Sequence, residues 1–159
     1  MGTHVLVAID GSRQSWNALD HALTQYGGDR ITVLHVVDPV EGIYGDTGDS
    51  YYNEEAHQRA LERGEQLGEK ARERAREFDL DSTTIEPVVE PGRPARTIVA
   101  YAEDHDIDHI VIGTHGRSGI SRILMGSVAE SVARRAPAPV TIVRGPQSAL
   151  ENPDGTDDA

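Results

Sequence analysis

Gly113-Thr-His-Gly116-Arg-Ser-Gly119-Ile-Ser-Arg-Ile-Leu-Met-Gly126-Ser127 is the stretch that decides the fold. It follows Ile110-Val111-Ile112, a short apolar run that reads as a buried strand. It precedes Val128, Ala129, Val132, Ala133 and Ala136, whose spacing places them on one helix face. Glycines therefore stand where a strand ends and where a helix begins. In an open α/β sheet, ligands bind in the crevice beyond the carboxyl ends of the strands. A helix N-terminus there offers unpaired N–H groups and a partial charge of roughly +0.5, which suit a phosphate. Glycine lets the backbone approach such an anion and supplies positive φ where a turn needs it. The stretch reads as a phosphate cradle.

Outward from it, strands alternate with helices. His4 to Asp10 is a near-continuous apolar run ending in an acid, as expected of a central strand buried on both faces. Gly11-Ser12 follows, with Ser12 placed as an N-cap. Trp16, Leu19, Leu23 and Tyr26 then mark a helix that Gly27-Gly28 stops. Arg30 to Val37 is a second strand, ended by Asp38 and Pro39. Residues 38–53, with Tyr44, Tyr51 and Tyr52 among glycines and aspartates, read as a long loop. Its tyrosines either cover a ligand or anchor the loop.

A long helix from about Glu54 to Phe78 buries Ala60, Leu61, Gly64, Leu67, Gly68, Ala71, Ala75 and Phe78, and leaves a charged, solvated face. Thr83 to Val89 is a third strand, set at the sheet edge by Pro87. Gly92-Arg93-Pro94 opens a helix with a buried stripe of Ala95, Ile98, Val99 and Ala102. Asp108 to Gly113 is the fourth strand. Pro137-Ala138-Pro139 breaks the last helix before a fifth strand, Val140 to Val143. The expected outcome is a single α/β domain over residues 1–145, a parallel sheet wound by right-handed crossovers, then an acidic disordered tail over 146–159.

The chain has 159 residues, a formal net charge of −12 and no cysteine. That charge opposes nucleic acid, whose phosphates need a positive patch. No apolar run approaches the roughly 20 residues of a membrane span. The N-terminus runs directly into a strand without a basic leader, so the expected location is cytoplasmic. Lys70 is the only lysine among many carboxylates. This pattern fits a halophilic protein kept soluble in high salt, or an ordinary acidic protein.

The spacing Gly113-x2-Gly116-x9-Gly126-Ser127, after an apolar strand and before Pro137-x-Pro139-Val-x-Ile-Val143, resembles the nucleotide-binding signature of the universal stress protein family. Ala8-Ile9-Asp10-Gly11-Ser12, Leu34-His35-Val36-Val37 and Gly92-x-Pro94 agree with it in order. The resemblance implies a Rossmann-like five-stranded parallel sheet in the order 3-2-1-4-5, with helices on both faces. It also implies an ATP-binding, stress-response homodimer joined through Val140–Val143, an apolar edge strand that invites pairing. The ligand that the resemblance implies is ATP, ADP or AMP, with Mg²⁺. Carried onto this sequence, the resemblance sets Ala8, Ile9 and Asp10 beside the adenosine, Val36 against adenine and Ile112 beneath the nucleoside. Gly113 and Gly116 then admit ribose and phosphates, Gly126, Ser127 and Val128 face the phosphates, and Arg117 neutralises their charge.

Several residues carry two readings. Asp10 either caps the first helix or accepts from adenine or ribose, or reaches phosphate through Mg²⁺. Ser127 and Glu130 spell a capping box that competes with phosphate for the same amides. Gly113 and Gly126 serve either a ligand or close packing. His35 reads as a hydrogen-bonded core residue, and His115 as a phosphate contact or a solvated loop residue. The seven histidines show no zinc spacing. The sequence carries no P-loop, G-x-G-x-x-G or G-x-S-x-G motif, so any ATP hydrolysis is expected to be slow. A non-nucleotide adaptor dimer and an adenylate-forming enzyme are the alternatives.

Overall fold

The computed structural model describes residues 2–39, 54–80, 84–114 and 126–144. In chain order these form β1 (His4–Ala8), α1 (Arg13–Tyr26), β2 (Arg30–Val37), α2 (Glu54–Glu77), β3 (Ile85–Pro91), α3 (Pro94–Asp104), β4 (His109–Gly113), α4 (Ser127–Arg135) and β5 (Val140–Val143). The sheet order is β3-β2-β1-β4-β5, with every neighbouring pair parallel. This is the expected order.

Alternation along each strand divides the core in two. Val5, Val7, Ile31, Val33 and Val111 face α1 and α2, where Leu19, Leu23, Leu67 and Ala71 meet them. Leu6, Leu34, Ile110 and Ile112 face the other layer, closed by Ile98, Tyr101, Ala129 and Val132 of α3 and α4. Because both faces are covered, β1 and β4 read as unbroken apolar runs. Ser12 is the N-cap of α1, its hydroxyl accepting from the Ser15 N–H at 3.2 Å.

The helix α2 lies close on the edge strand β3 because it presents glycine there. A Cβ on Gly68 would stand 2.7 Å from Pro87 Cβ, and one on Gly64 would stand 3.0 Å from the His35 ring.

Some boundaries differ from expectation. β1 ends at Ala8, though the Ile9 N–H still donates to Leu34 O at 2.9 Å. β3 starts at Ile85 and runs to Pro91, because its ladder with β2 extends from Ile31↔Ile85 to Val37↔Pro91. Gly92 N–H then donates to Val37 O at 3.0 Å. Pro87 sits inside this strand, which is tolerated because β3 is an edge. β4 begins at His109, one residue late. α3 buries Tyr101 beside Ile98 and Ala102, a residue outside the expected stripe. α4 leaves Ala133 exposed and ends at Arg135, with Ala136 forced extended before Pro137. The loop tyrosines, Thr83 and the acidic tail lie outside the described residues.

Candidate functional site

At the carboxyl ends of β1, β2 and β4 the sheet opens into a cleft of about 290 Å³. The sheet reverses direction of winding between β1 and β4, so the crossovers leave on opposite faces and part at this point. Ala8, Leu34, Val36 and Ile112 make an apolar floor, with Ile98 and Pro94 of α3 beside them. Asp10, Ser12 and Ser15 stand on one rim, and Gly126, Ser127, Val128 and Ala129 on the other. Ala8, Ile9, Asp10, Val36, Ile112, Gly113, Gly126, Ser127 and Val128, drawn from both ends of the chain, thus share one cavity. Gly116, Arg117 and His115 lie outside the described residues.

The turn after β1 is held from several sides. The Asp10 carboxylate accepts from the Ser12 N–H at 2.9 Å, an Asx-type turn that leads into the N-cap of α1. Asp10 N–H donates to Ser15 Oγ at 3.3 Å, and the Ser15 hydroxyl donates to Ser12 O at 2.8 Å. Gly11 takes a φ of +89°, the left-handed region that glycine enters without strain. Arg63 of α2 reaches over this turn, its Nη2 donating to Asp10 O at 3.4 Å. His35 lies half-buried beneath it, with Nδ1 at 2.9 Å from Ile9 O. A carbonyl can only accept, so the proton is on Nδ1.

On the opposite rim, Gly126 is the N-cap of α4 and supplies no side-chain hydrogen bond. Ser127 is the first helical residue, so the Ser127–Glu130 capping box does not form. The register is one residue off: a capping serine must precede the first turn, whereas Ser127 belongs to it. Thr114, buried directly after β4, fixes this start, its Oγ1 accepting from the Gly126 N–H at 3.2 Å. Gly113 lines the cleft, but the space left by its missing side chain faces α1. A Cβ there would collide with the Gln14 backbone carbonyl.

The model of the universal stress protein family matches residues 1–144. The chain belongs to the universal stress protein family. A universal stress protein encoded beside a sulfhydrylase in Thermus aquaticus is 32% identical over 142 residues, which is 88% of this chain and 97% of the relative. Among solved structures, MJ0577 of Methanocaldococcus jannaschii superimposes with a TM-score of 0.73 at 25% identity, covering 93% of this chain and 99% of that one. A universal stress protein crystallised in complex with cAMP superimposes with a TM-score of 0.63 at 26% identity, covering 91% and 98%.

In this universal stress protein the sequence reading missed Ser12, Ser15, Leu34, Pro94, Ile98 and Ala129 as lining residues, and Thr114 as the support of the α4 rim. Ser15 was legible in principle, since it stands three residues after the N-cap Ser12 on the helix side that returns to β1. The apolar members carried no signal apart from core burial. Among the described residues, no group of three or more histidine, aspartate or glutamate side chains is placed to hold a metal ion. No helix among them is long and apolar enough to cross a membrane.

Proposed function

We propose that this universal stress protein binds an adenine nucleotide in the β1/β4 cleft and acts as a dimeric stress-response sensor or regulator. One observation carries the reading: a single cavity pairs an apolar floor with a helix start whose N-cap brings no side chain. Ala8, Val36 and Ile112 offer a nucleobase and ribose apolar surface, and the first amides of α4 face the phosphate end. A relative that is 26% identical was crystallised with cAMP, which supports adenine nucleotides as the ligand class. The cavity stands near the lower end of the roughly 300–1,000 Å³ usual for small-molecule sites, so it suits the nucleoside with its phosphates running out along the α4 rim.

Asp10 is the only charged residue on the lining given by the described residues. It repels bare phosphate, so it serves a sugar or base hydrogen bond, or meets the phosphates through Mg²⁺ that arrives with them. From the family signature in the sequence, Gly116 and Arg117 are assigned to the phosphates as well. The cleft is read as a binding site at which any hydrolysis is slow, because the sequence carries no phosphoryl-transfer motif. The setting is cytoplasmic, and β5, an edge strand, is the dimer seam.

Thermal denaturation with ATP, AMP and cAMP tests the reading. A ligand at about 100 times its dissociation constant adds about 2.7 kcal/mol, a shift of several degrees. An unchanged melting temperature with all three at both low and molar salt would mean that the cleft does not serve nucleotides. The non-nucleotide adaptor would then stand.

A further inference from the structure

The peptide between Ile9 and Asp10 is gripped at both ends by side chains from different elements. Its oxygen accepts from His35 Nδ1 of β2 at 2.9 Å, and its N–H donates to Ser15 Oγ of α1 at 3.3 Å. A trans peptide is planar with these two atoms on opposite sides, so holding both fixes the plane and the two dihedrals that flank it. Ser12 N–H then holds one carboxylate oxygen of Asp10 at 2.9 Å. Arg63 steadies the next carbonyl, and Ile9 N–H is tied to Leu34 O at 2.9 Å.

Neither gripping side chain is free to drift. Ser15 is only 5% exposed, and its own proton is given to Ser12 O at 2.8 Å. The His35 ring is wedged under α2, where a Cβ on Gly64 would stand 3.0 Å from it. An exposed aspartate that merely capped α1 would need no second element behind its backbone. Here Asp10, Ser12 and Ser15 all line the cleft, while His35 supports them from the opposite face of the sheet.

We infer that His35 and Ser15 are positioning residues that hold the Asp10 carboxylate as a fixed acceptor for a ribose hydroxyl of the ligand. They thereby give the cleft a preference for ribonucleotides over deoxyribonucleotides. This rests on the nucleotide reading of the cleft. A carboxylate is acceptor-only and unsuited to phosphate, whereas a sugar hydroxyl is a donor. A site built to bond a hydroxyl rejects the analogue lacking it far better than an apolar pocket does. That rejection requires the acceptor to be preorganised.

The test is a comparison of dissociation constants for ATP, 2′-deoxy-ATP and 3′-deoxy-ATP by calorimetry. The wild type is expected to favour ATP over at least one deoxy analogue by about tenfold or more, the worth of one charge-assisted hydrogen bond. In Ser15→Ala and in His35→Leu that preference falls below about threefold. His35→Asn, whose amide keeps a donor toward Ile9 O, restores most of what His35→Leu loses. A general loosening of the fold would weaken all three ligands alike and leave the ratio intact, which would overturn the inference. So would a wild type that binds all three equally. A wild type that binds none of them defeats the nucleotide reading itself, a result distinct from the other two. Independently of any variant, the Asp10 amide is expected to be protected from hydrogen exchange in the ligand-free protein. Exchange at the rate of an open chain would remove the Ser15 half of the grip.

Discussion

Gly113 shows how one atom can tie the site to the fold. Its absent Cβ is the space into which the Gln14 carbonyl of α1 fits. Gly113→Ala is therefore expected to push α1 off the end of β4 and to destabilise by about 1–3 kcal/mol, read as a lower denaturant midpoint. An unchanged midpoint would show that α1 yields without cost. At the amino ends of the strands another residue-scale feature governs pH response. Thr32 is fully buried, in hydrogen-bond contact with His4 Nε2 at 2.8 Å and donating to Glu86 Oε1 at 3.2 Å. Burial, together with the neighbouring Arg30 guanidinium, holds His4 below the usual histidine range, against the opposite pull of Glu86 and Asp108. Burial and His21 do the same for His109, whose Nε2 lies 2.6 Å from Thr141 Oγ1. The unfolded chain takes up these protons near pH 6.5 while the folded one resists them. Their contribution is thus complete above about pH 6.5 and is lost as pH falls toward the folded values. The melting temperature is expected to fall between pH 7.5 and 5.5, and to fall less in a His4→Gln/His109→Gln double variant. Equal slopes in both proteins would remove the histidines from the account.

At the scale of elements, α1 and α2 are joined by a two-pronged ion pair. Arg74 Nε and Nη2 donate to the two oxygens of Asp20, each at 2.7 Å. Both side chains are partly exposed, so solvent screening limits the pair to about 0.5–1 kcal/mol. Arg74→Lys keeps the charge and loses the fork, and is expected to cost most of that amount in chemical denaturation. A loss no larger than the error would show that the fork adds nothing beyond charge. The element pattern was largely legible in the sequence: alternating strands and helices with two-sided apolar runs permit little else, and Pro87 marked its strand as an edge. What escaped was register. The start of β3 is fixed by its ladder to β2, and the start of α4 by Thr114, both long-range partners. Within the site, glycines and the acid after β1 were readable because their chemistry is unusual. Ile98 and Leu34 looked like any core residue, since only the parting of α3 from the sheet turns them into a floor.

For the whole molecule, the balance of charge is the governing quantity. At −12, with a single lysine, self-repulsion opposes compaction unless counter-ions screen it. Stability is expected to rise from dilute buffer to about 1 M salt, where the Debye length shrinks to about 3 Å. Far-ultraviolet circular dichroism across that range reads it, and a flat response would mark an ordinary acidic protein. The same preparation is expected to sediment at twice the chain's mass if β5 pairs with a second copy. Finally, α4 opens on a residue that brings no closing group of its own to its first turn. An anion arriving there finishes a piece of secondary structure as well as filling a hollow. Ligand capture and the tightening of that turn become one equilibrium, so the amides of Ser127 and Val128 report occupancy directly: their slowing in exchange should track saturation point for point.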